Sequence, residues 1–180
     1  MQRVLITGGA GFIGSHLAEA LIAQGKEVIV IDDLSTGSRA NLAALENRTG
    51  FQFVEGNILD ARKLDPLVAR VDFVYHLAAT VGVKLVIRNA AQTLHNNVAG
   101  TENVLKTAAR HNVGVLLTSS SEVYGKSEQP QFSEDDDLVI GPPIFPRWSY
   151  ACSKLLGEFL ALAYAREKSI PVFIVRLFNT

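Results

Sequence analysis

The sequence predicts an α/β fold, a doubly wound parallel sheet of six strands with helices on both faces. Three observations carry this. Apolar runs rich in β-branched residues recur along the chain, nearly continuous rather than alternating, as strands covered on both faces require. Apolar stripes at helical spacing fill the intervals between them. The first run is followed by Gly8, Gly9, Gly11 and Gly14 and then by helical sequence, a strand–turn–helix junction with unusual backbone freedom. Such alternation winds with right-handed crossovers. A chain of 180 residues is long enough for one domain, 1–180, with a real core.

Taken in order, the expected strands are Arg3–Thr7, Glu27–Asp32, Phe51–Gly56, Asp72–Ala78, Gly114–Ser119 and Val172–Phe178. Between the first two, Phe12–Gln24 reads as a helix with Ile13, Leu17, Ala20 and Leu21 on one stripe. Ser35–Gly50 is polar and loop-like, with a short helix near Asn41–Asn47. Ala61–Ala69 is a short helix opened by Asp60, a good N-cap. Ala91–His111 aligns Leu94, Val98, Leu105 and Ala108, and Ser149–Lys168 aligns Cys152, Leu156, Phe159 and Ala163. Both are apolar beyond one stripe, with Leu155, Leu160 and Leu162 outside the line in the second, so each wants a second partner. Lys126–Trp148 holds all but two of the six prolines and the acidic run Glu134–Asp137. It reads as a surface excursion over the carboxyl edge of the sheet.

The totals narrow the function. Lys and Arg number 17 against 18 Asp and Glu, a net charge of −1, without the basic excess of a general nucleic-acid binder. The apolar runs are strand-sized and too short to span a membrane. Residues Met1 to Ile6 lead straight into a strand, with no leader pattern. Cys152 stands alone, which excludes an internal disulfide and a multi-cysteine metal site. His16, His76, His95 and His111 lack ligand spacing, so no metal is expected. A cytoplasmic protein without nucleic-acid or membrane partners follows.

The glycine junction has chemical content. Gly8, Gly11 and Gly14 recur every third residue where a strand becomes a helix. The loop must turn tightly, let a phosphate approach its backbone and seat the helix close to the sheet, and each demand removes a side chain. The helix start offers free N–H groups and a positive dipole end to an anion. The second strand ends in VIVIDD. Asp32 is placed to accept from adenosine ribose hydroxyls, and its charge repels a 2′-phosphate, which favours NAD over NADP despite nearby Arg39. Asp33 is grouped with the same site, although of the two it is the better candidate for a plain turn residue.

A second constellation comes later. LLTSSSEVYG, Leu116 to Gly125, places Ser119, Ser120 and Ser121 at the carboxyl end of the fifth strand, where ligands bind in such sheets. In WSYACSK, Tyr150 and Lys154 are four apart and share a helix face. An ammonium beside a phenol favours the phenolate, which makes Tyr150 a candidate general base.

With TGGAGFIGSHL, YHLAA, NNVAGTENVL, SSSEVYG, SYACSK and RLFNT in this order, the chain resembles the extended short-chain dehydrogenase/reductase family. Within it the likeness is to the NAD-dependent nucleotide-sugar epimerases, dehydratases and decarboxylases, whose fold is the Rossmann sheet. The resemblance implies that Gly8, Gly11 and Gly14 hold the pyrophosphate, lined by Phe12 and Ile13, and that Asp32 holds the ribose. Asn57 and Ile58 fall where the family has Asp-Ile beside the adenine; Asn57 keeps an acceptor and loses the charge. Leu77, Ala78 and Ala79 would line the cofactor cleft, and Asn97 would stand near the cofactor and the central sheet. Tyr150 would be the base, Lys154 would also bind the nicotinamide ribose, and Ser120 would be the catalytic serine.

The family chemistry is transient oxidation at C4 of a nucleoside-diphosphate sugar, a UDP-sugar foremost, in a homodimer paired through the two long helices. Glu122, after Ser120 and Ser121, resembles the acid/base glutamate of decarboxylases and of one class of 4,6-dehydratases; a charged strand-end residue is the alternative. Epimerase and decarboxylase rank together, dehydratase third. Family members continue past the sixth strand into a substrate-gripping region, which is expected to be absent here. A non-catalytic NAD-binding module or an inactive fragment is therefore the reading of a different class.

Overall fold

The structure is a computed structural model and describes residues 2–80, 90–128 and 130–178. The last two residues of the RLFNT motif lie outside the described residues. Its strands are β1 (Arg3–Thr7), β2 (Glu27–Asp32), β3 (Phe51–Glu55), β4 (Phe73–His76), β5 (Gly114–Ser120) and β6 (Val172–Leu177). Its helices are α1 (Phe12–Ala23), α2 (Ala61–Val68), α3 (Ala90–His111) and α4 (Trp148–Lys168), with 3-10 turns at Arg39–Leu42 and Ser121–Tyr124.

All strand pairs are parallel, in the order β3-β2-β1-β4-β5-β6. The direction of winding reverses between β1 and β4, so the chain leaves these two strands toward opposite faces of the sheet and a crevice opens at their carboxyl ends. One core, built on Leu5, Ile31, Val74, Val104 and Leu105, joins the sheet to α2, α3 and α4. The other, built on Val4, Ile6, Val28, Val30 and Ala18, joins it to α1 and the 3-10 turn at Leu42.

Three expectations need correction. First, the strands on the β4–β6 side of the sheet are not covered on both faces. Alpha-1 and the 3-10 turn cover the β1–β2 side of their face, so Phe73 and Tyr75 are half-buried and Phe173 on β6 is 58% exposed.

Second, the apolar stripes coincide only in part with the buried faces: Leu21 on α1 and Leu105 and Ala108 on α3 are buried as expected, and other stripe residues are not. Alpha-1 docks through Gly14, Ser15, Ala18, Leu21 and Ile22, leaving Ile13 at 38% exposure. Alpha-3 buries Leu105 and Ala108 of its stripe together with Thr93, Asn97, Thr101 and Val104, while Leu94 is exposed. On α4 the reversal is complete. Cys152, Leu156 and Phe159 face outward, while Ala151, Ser153, Lys154, Gly157, Glu158 and Ala161 face in. The inner faces carry small residues, which bring helix axes close, and polar residues with partners in the sheet.

Third, the helix expected near Asn41–Asn47 is the shorter 3-10 turn, capped by Ser38 Oγ accepting from Ala40 N at 3.3 Å. The Lys126–Trp148 excursion contributes one bridge, Gly125 to Val139, before α4 begins.

Candidate functional site

The crevice opens into a cavity of about 1100 Å³. One end is the glycine loop. Gly8 has φ +71, and a Cβ on it would stand 2.7 Å from the backbone of Ala78, so the loop after β1 lies against the loop after β4. A Cβ on Gly14 would stand 2.5 Å from the Gly8 carbonyl oxygen, so α1 sits directly on the loop. Gly8, Gly11, Phe12, Ile13 and Gly14 line the cavity. Phe12 is 66% exposed, an apolar side chain at a polar loop. This bare backbone at a helix start fits a pyrophosphate.

Asp32 and Asp33 also line the cavity. Asp32 is buried, accepting from Ala10 N at 2.9 Å and from Leu34 N at 2.8 Å. It thus braces the glycine loop as well as facing the cavity, with lone pairs left on each oxygen. The turn role expected of Asp33 is shared. Asp33 accepts from Ser35 N at 3.0 Å and also from Asn57 Nδ2 at 2.7 Å. Asn57 in turn accepts from Leu59 N at 2.8 Å, so its amide ties the β2 and β3 ends together. Ile58, Leu77, Ala78 and Ala79 complete this wall.

At the other end stand Ser120, Glu122, Tyr150 and Lys154. Lys154 is buried and donates from Nζ to the Thr118 carbonyl at 2.8 Å, and burial pulls its pKa down to about 8. The expected lowering of the Tyr150 pKa by Lys154 is not found. Burial raises it, the Glu122 carboxylate raises it further, and a hydrogen bond with Ser120 pulls it back. The reason is geometric. Lys154 Nζ lies 5.9 Å from the Tyr150 ring centroid and gives one of its N–H groups to the Thr118 carbonyl.

Asn97 does not line the cavity; its neighbour Asn96 does. Buried Asn97 accepts from Thr80 N at 2.7 Å, and donates to the Thr80 carbonyl at 3.3 Å and to Ser153 Oγ at 3.1 Å. It fixes the loop after β4 to α4 and acts on the cavity through those elements. His76 lies beneath it, fully buried between Thr7 Oγ1 at 2.7 Å and Thr101 Oγ1 at 3.0 Å.

Sequence reasoning missed several lining residues. Arg147, three positions before Tyr150, reaches the cavity and rests on the Trp148 ring, its guanidinium carbon 4.6 Å from the centroid. Phe178 and Thr36 also line it. Only Arg147 had a signal, since three residues is nearly one helical turn. Among the described residues, no group of three or more His, Cys, Asp or Glu is placed to hold a metal ion. Among them too, no helix is long and apolar enough to cross a membrane.

The model of the NAD dependent epimerase/dehydratase family matches residues 4–180. The chain belongs to that family. A UDP-N-acetyl-alpha-D-glucosaminuronate decarboxylase of Bacillus cytotoxicus is 43% identical over 178 residues, covering 99% of this chain and 54% of that protein. A dTDP-glucose 4,6-dehydratase from Streptomyces venezuelae, solved with NAD bound, superposes with a TM-score of 0.88 at 37% identity, over 97% of this chain and 55% of its own. A UDP-glucose 4-epimerase from Brucella ovis, in complex with NAD, gives a TM-score of 0.87 at 31% identity, over 99% and 52%. The chain therefore spans about half the length of the relatives it matches.

Proposed function

We propose that this chain forms the NAD-binding and proton-transferring half of an enzyme acting on a nucleoside-diphosphate sugar, a UDP-sugar foremost. The observation that carries the reading is the convergence of the glycine loop and Asp32 with Ser120, Tyr150 and Lys154 on one cavity. NAD, when bound, takes up the hydride released in oxidising a sugar alcohol. Gly8, Gly11 and Gly14 would receive its pyrophosphate, Asp32 the adenosine ribose, and Lys154 the second ribose.

Tyr150 accepts the C4 hydroxyl proton of the sugar as C4 is oxidised to a ketone. For this it must first be a phenolate, and Ser120 is the neighbour that favours that state. Ser120 also hydrogen-bonds the sugar oxygen on which charge develops. A 4-keto uronic acid is a β-keto acid and loses its C6 carboxylate as CO2. A neutral 4-keto sugar would instead be re-reduced on its other face, or would lose water across C5–C6.

The decarboxylase reading is favoured here by two side chains and one relative. Glu122 lines the cavity beside Ser120 and Tyr150 and is suited to return a proton to the sugar. Arg147 has no carboxylate partner among the described residues and presents a guanidinium fit for a substrate carboxylate. The Bacillus relative acts on a uronate. Epimerase and dehydratase chemistry remain the alternatives. The chain's half-length keeps a second reading of another class, an NAD-binding module without turnover.

The outward faces of α3 and α4, with Leu94, Leu156, Phe159 and Leu162 at 37 to 65% exposure, fit a homodimer built by pairing these helices. A cytoplasmic setting suits the one free cysteine.

The test is incubation with NAD⁺ and UDP-glucuronate, UDP-glucose or UDP-galactose, following absorbance at 340 nm and product. CO2 and a pentose nucleotide are expected from the uronate. Tyr150→Phe is expected to abolish hydride transfer and keep NAD⁺ binding. Wild-type turnover in that variant would remove Tyr150 from the reaction, and binding without any product would leave the module reading.

A further inference from the structure

Behind the cavity wall, α4 carries a buried carboxylate that the chemistry above does not use. Glu158 is 6% exposed and lies one helical turn beyond Lys154. Its Oε1 accepts from Ser119 Oγ at 2.5 Å and from Arg176 Nε at 3.0 Å, and its Oε2 accepts from Arg176 Nη2 at 2.8 Å. Arg176, on β6, also donates from Nη1 to the Glu134 carbonyl at 3.3 Å. Its guanidinium carbon stands 4.8 Å from the Tyr124 ring centroid, and Tyr124 stacks on Phe132 at 4.5 Å. One carboxylate thus links α4, both last strands, the 3-10 turn after β5 and the excursion.

Stability alone gives little reason for this arrangement. Glu158 is buried and Arg176 partly so, and taking a charge out of water opposes folding, whereas apolar residues of the same volume hold a fold as well or better. What the pair supplies is placement. Lys154 holds the carbonyl of Thr118 and Glu158 holds the hydroxyl of Ser119. These are successive residues of β5, immediately before Ser120. Ser120 Oγ then accepts from Glu122 N at 3.3 Å and starts the turn that carries Glu122.

We propose that Glu158, anchored by Arg176, is a positioning residue. Together with Lys154 it clamps the end of β5 at two points and so sets Ser120 and Glu122 against Tyr150. It acts through Ser119, whose hydroxyl is spent on the carboxylate, and not by touching substrate or cofactor. The inference rests on the reading of Ser120, Tyr150 and Lys154 as the reacting end of the cavity.

The test uses Ser119→Ala, which removes one arm of the clamp and leaves every charge in place. The readout is the titration of Lys154 in the 180-residue chain with ¹³C-labelled lysine, its signal identified by loss in Lys154→Met. With the strand end released, water reaches Lys154, and its titration is expected to rise from about 8 by about one pH unit. Ser119→Thr, which keeps the hydroxyl, should restore the original value. A fold staple would lower the melting temperature and leave Lys154 where it was.

Lys154 titrating in Ser119→Ala as in the wild type would overturn the proposal. If Ser119→Ala does not fold, the double variant Glu158→Leu/Arg176→Met, which strands no charge, decides in the same terms. Failure of the functional reading looks different: the wild-type chain would not bind NAD⁺, while the Lys154 titration would still report on the clamp.

Discussion

Asp32 braces the fold at the wall of the cavity. Both its oxygens hold backbone N–H groups, one from the glycine loop, while the carboxylate faces the cavity. Asp32→Ala is therefore expected to cost about 1–3 kcal/mol of stability and to relax discrimination against NADP⁺. Chemical denaturation and titration with both dinucleotides check the two effects, and unchanged affinities would remove Asp32 from the site. His76 sets a pH limit on the fold. Burial lowers its pKa from 6.5 to about 3, with the charge of Lys154 adding to the effect. Below 6.5 the unfolded chain takes up a proton that the folded one refuses. The contribution is full above pH 6.5 and is lost as pH falls toward 3, at up to about 1.4 kcal/mol per pH unit. Denaturation midpoints measured from pH 7 to 4 should fall accordingly, and a His76→Gln variant should flatten part of that slope. The residues that meet on the cavity were legible because their types suit the proposed chemistry: glycines at a strand–helix turn, an acid at a strand end, tyrosine and lysine one turn apart. The division of labour between Ser119 and Ser120 was not legible. It depends on Glu158 and Arg176, which lie 39 and 57 positions away from Ser119 in the chain and meet it only through the packing of α4 and β6.

At the scale of elements, the strand register is what brings the two constellations together. Thr7 of β1 pairs with His76 of β4, and their following loops meet at Gly8 and Ala78. Beta-1 and β2 begin and end where the sequence places them, because charged or glycine residues bound their apolar runs. The buried face of α4 was misread for a physical reason. Counting apolar residues finds the greasiest stripe, but α4 must give its sheet-facing side to Lys154, Glu158 and small residues. The greasy stripe is left outside. Phe159, 65% exposed, lies at the middle of that stripe. Phe159→Glu is expected to convert a homodimer to a monomer with little loss of fold stability, since the residue is exposed within the single chain. Light scattering at high protein concentration checks this, and a wild-type chain that is already monomeric would contradict the dimer.

At the scale of the molecule, the sheet order and its reversal between β1 and β4 explain why one cavity collects the glycine loop, the Asp32–Asp33 wall and the corner of Ser120, Tyr150 and Lys154. The six parallel strands follow from their apolar runs and the connecting helices. The path of Lys126–Trp148 does not, because prolines and acidic residues fix local backbone without choosing a packing partner. Its approach to the cavity at Arg147 and to Arg176 through the Glu134 carbonyl emerges only in three dimensions. The proposed function requires this cavity to bind NAD. Calorimetric titration of the chain with NAD⁺ and then NADP⁺ is the decisive experiment. Micromolar binding of NAD⁺, with NADP⁺ much weaker, is the expected result. No heat of binding from either dinucleotide, in a chain shown to be folded, would contradict it.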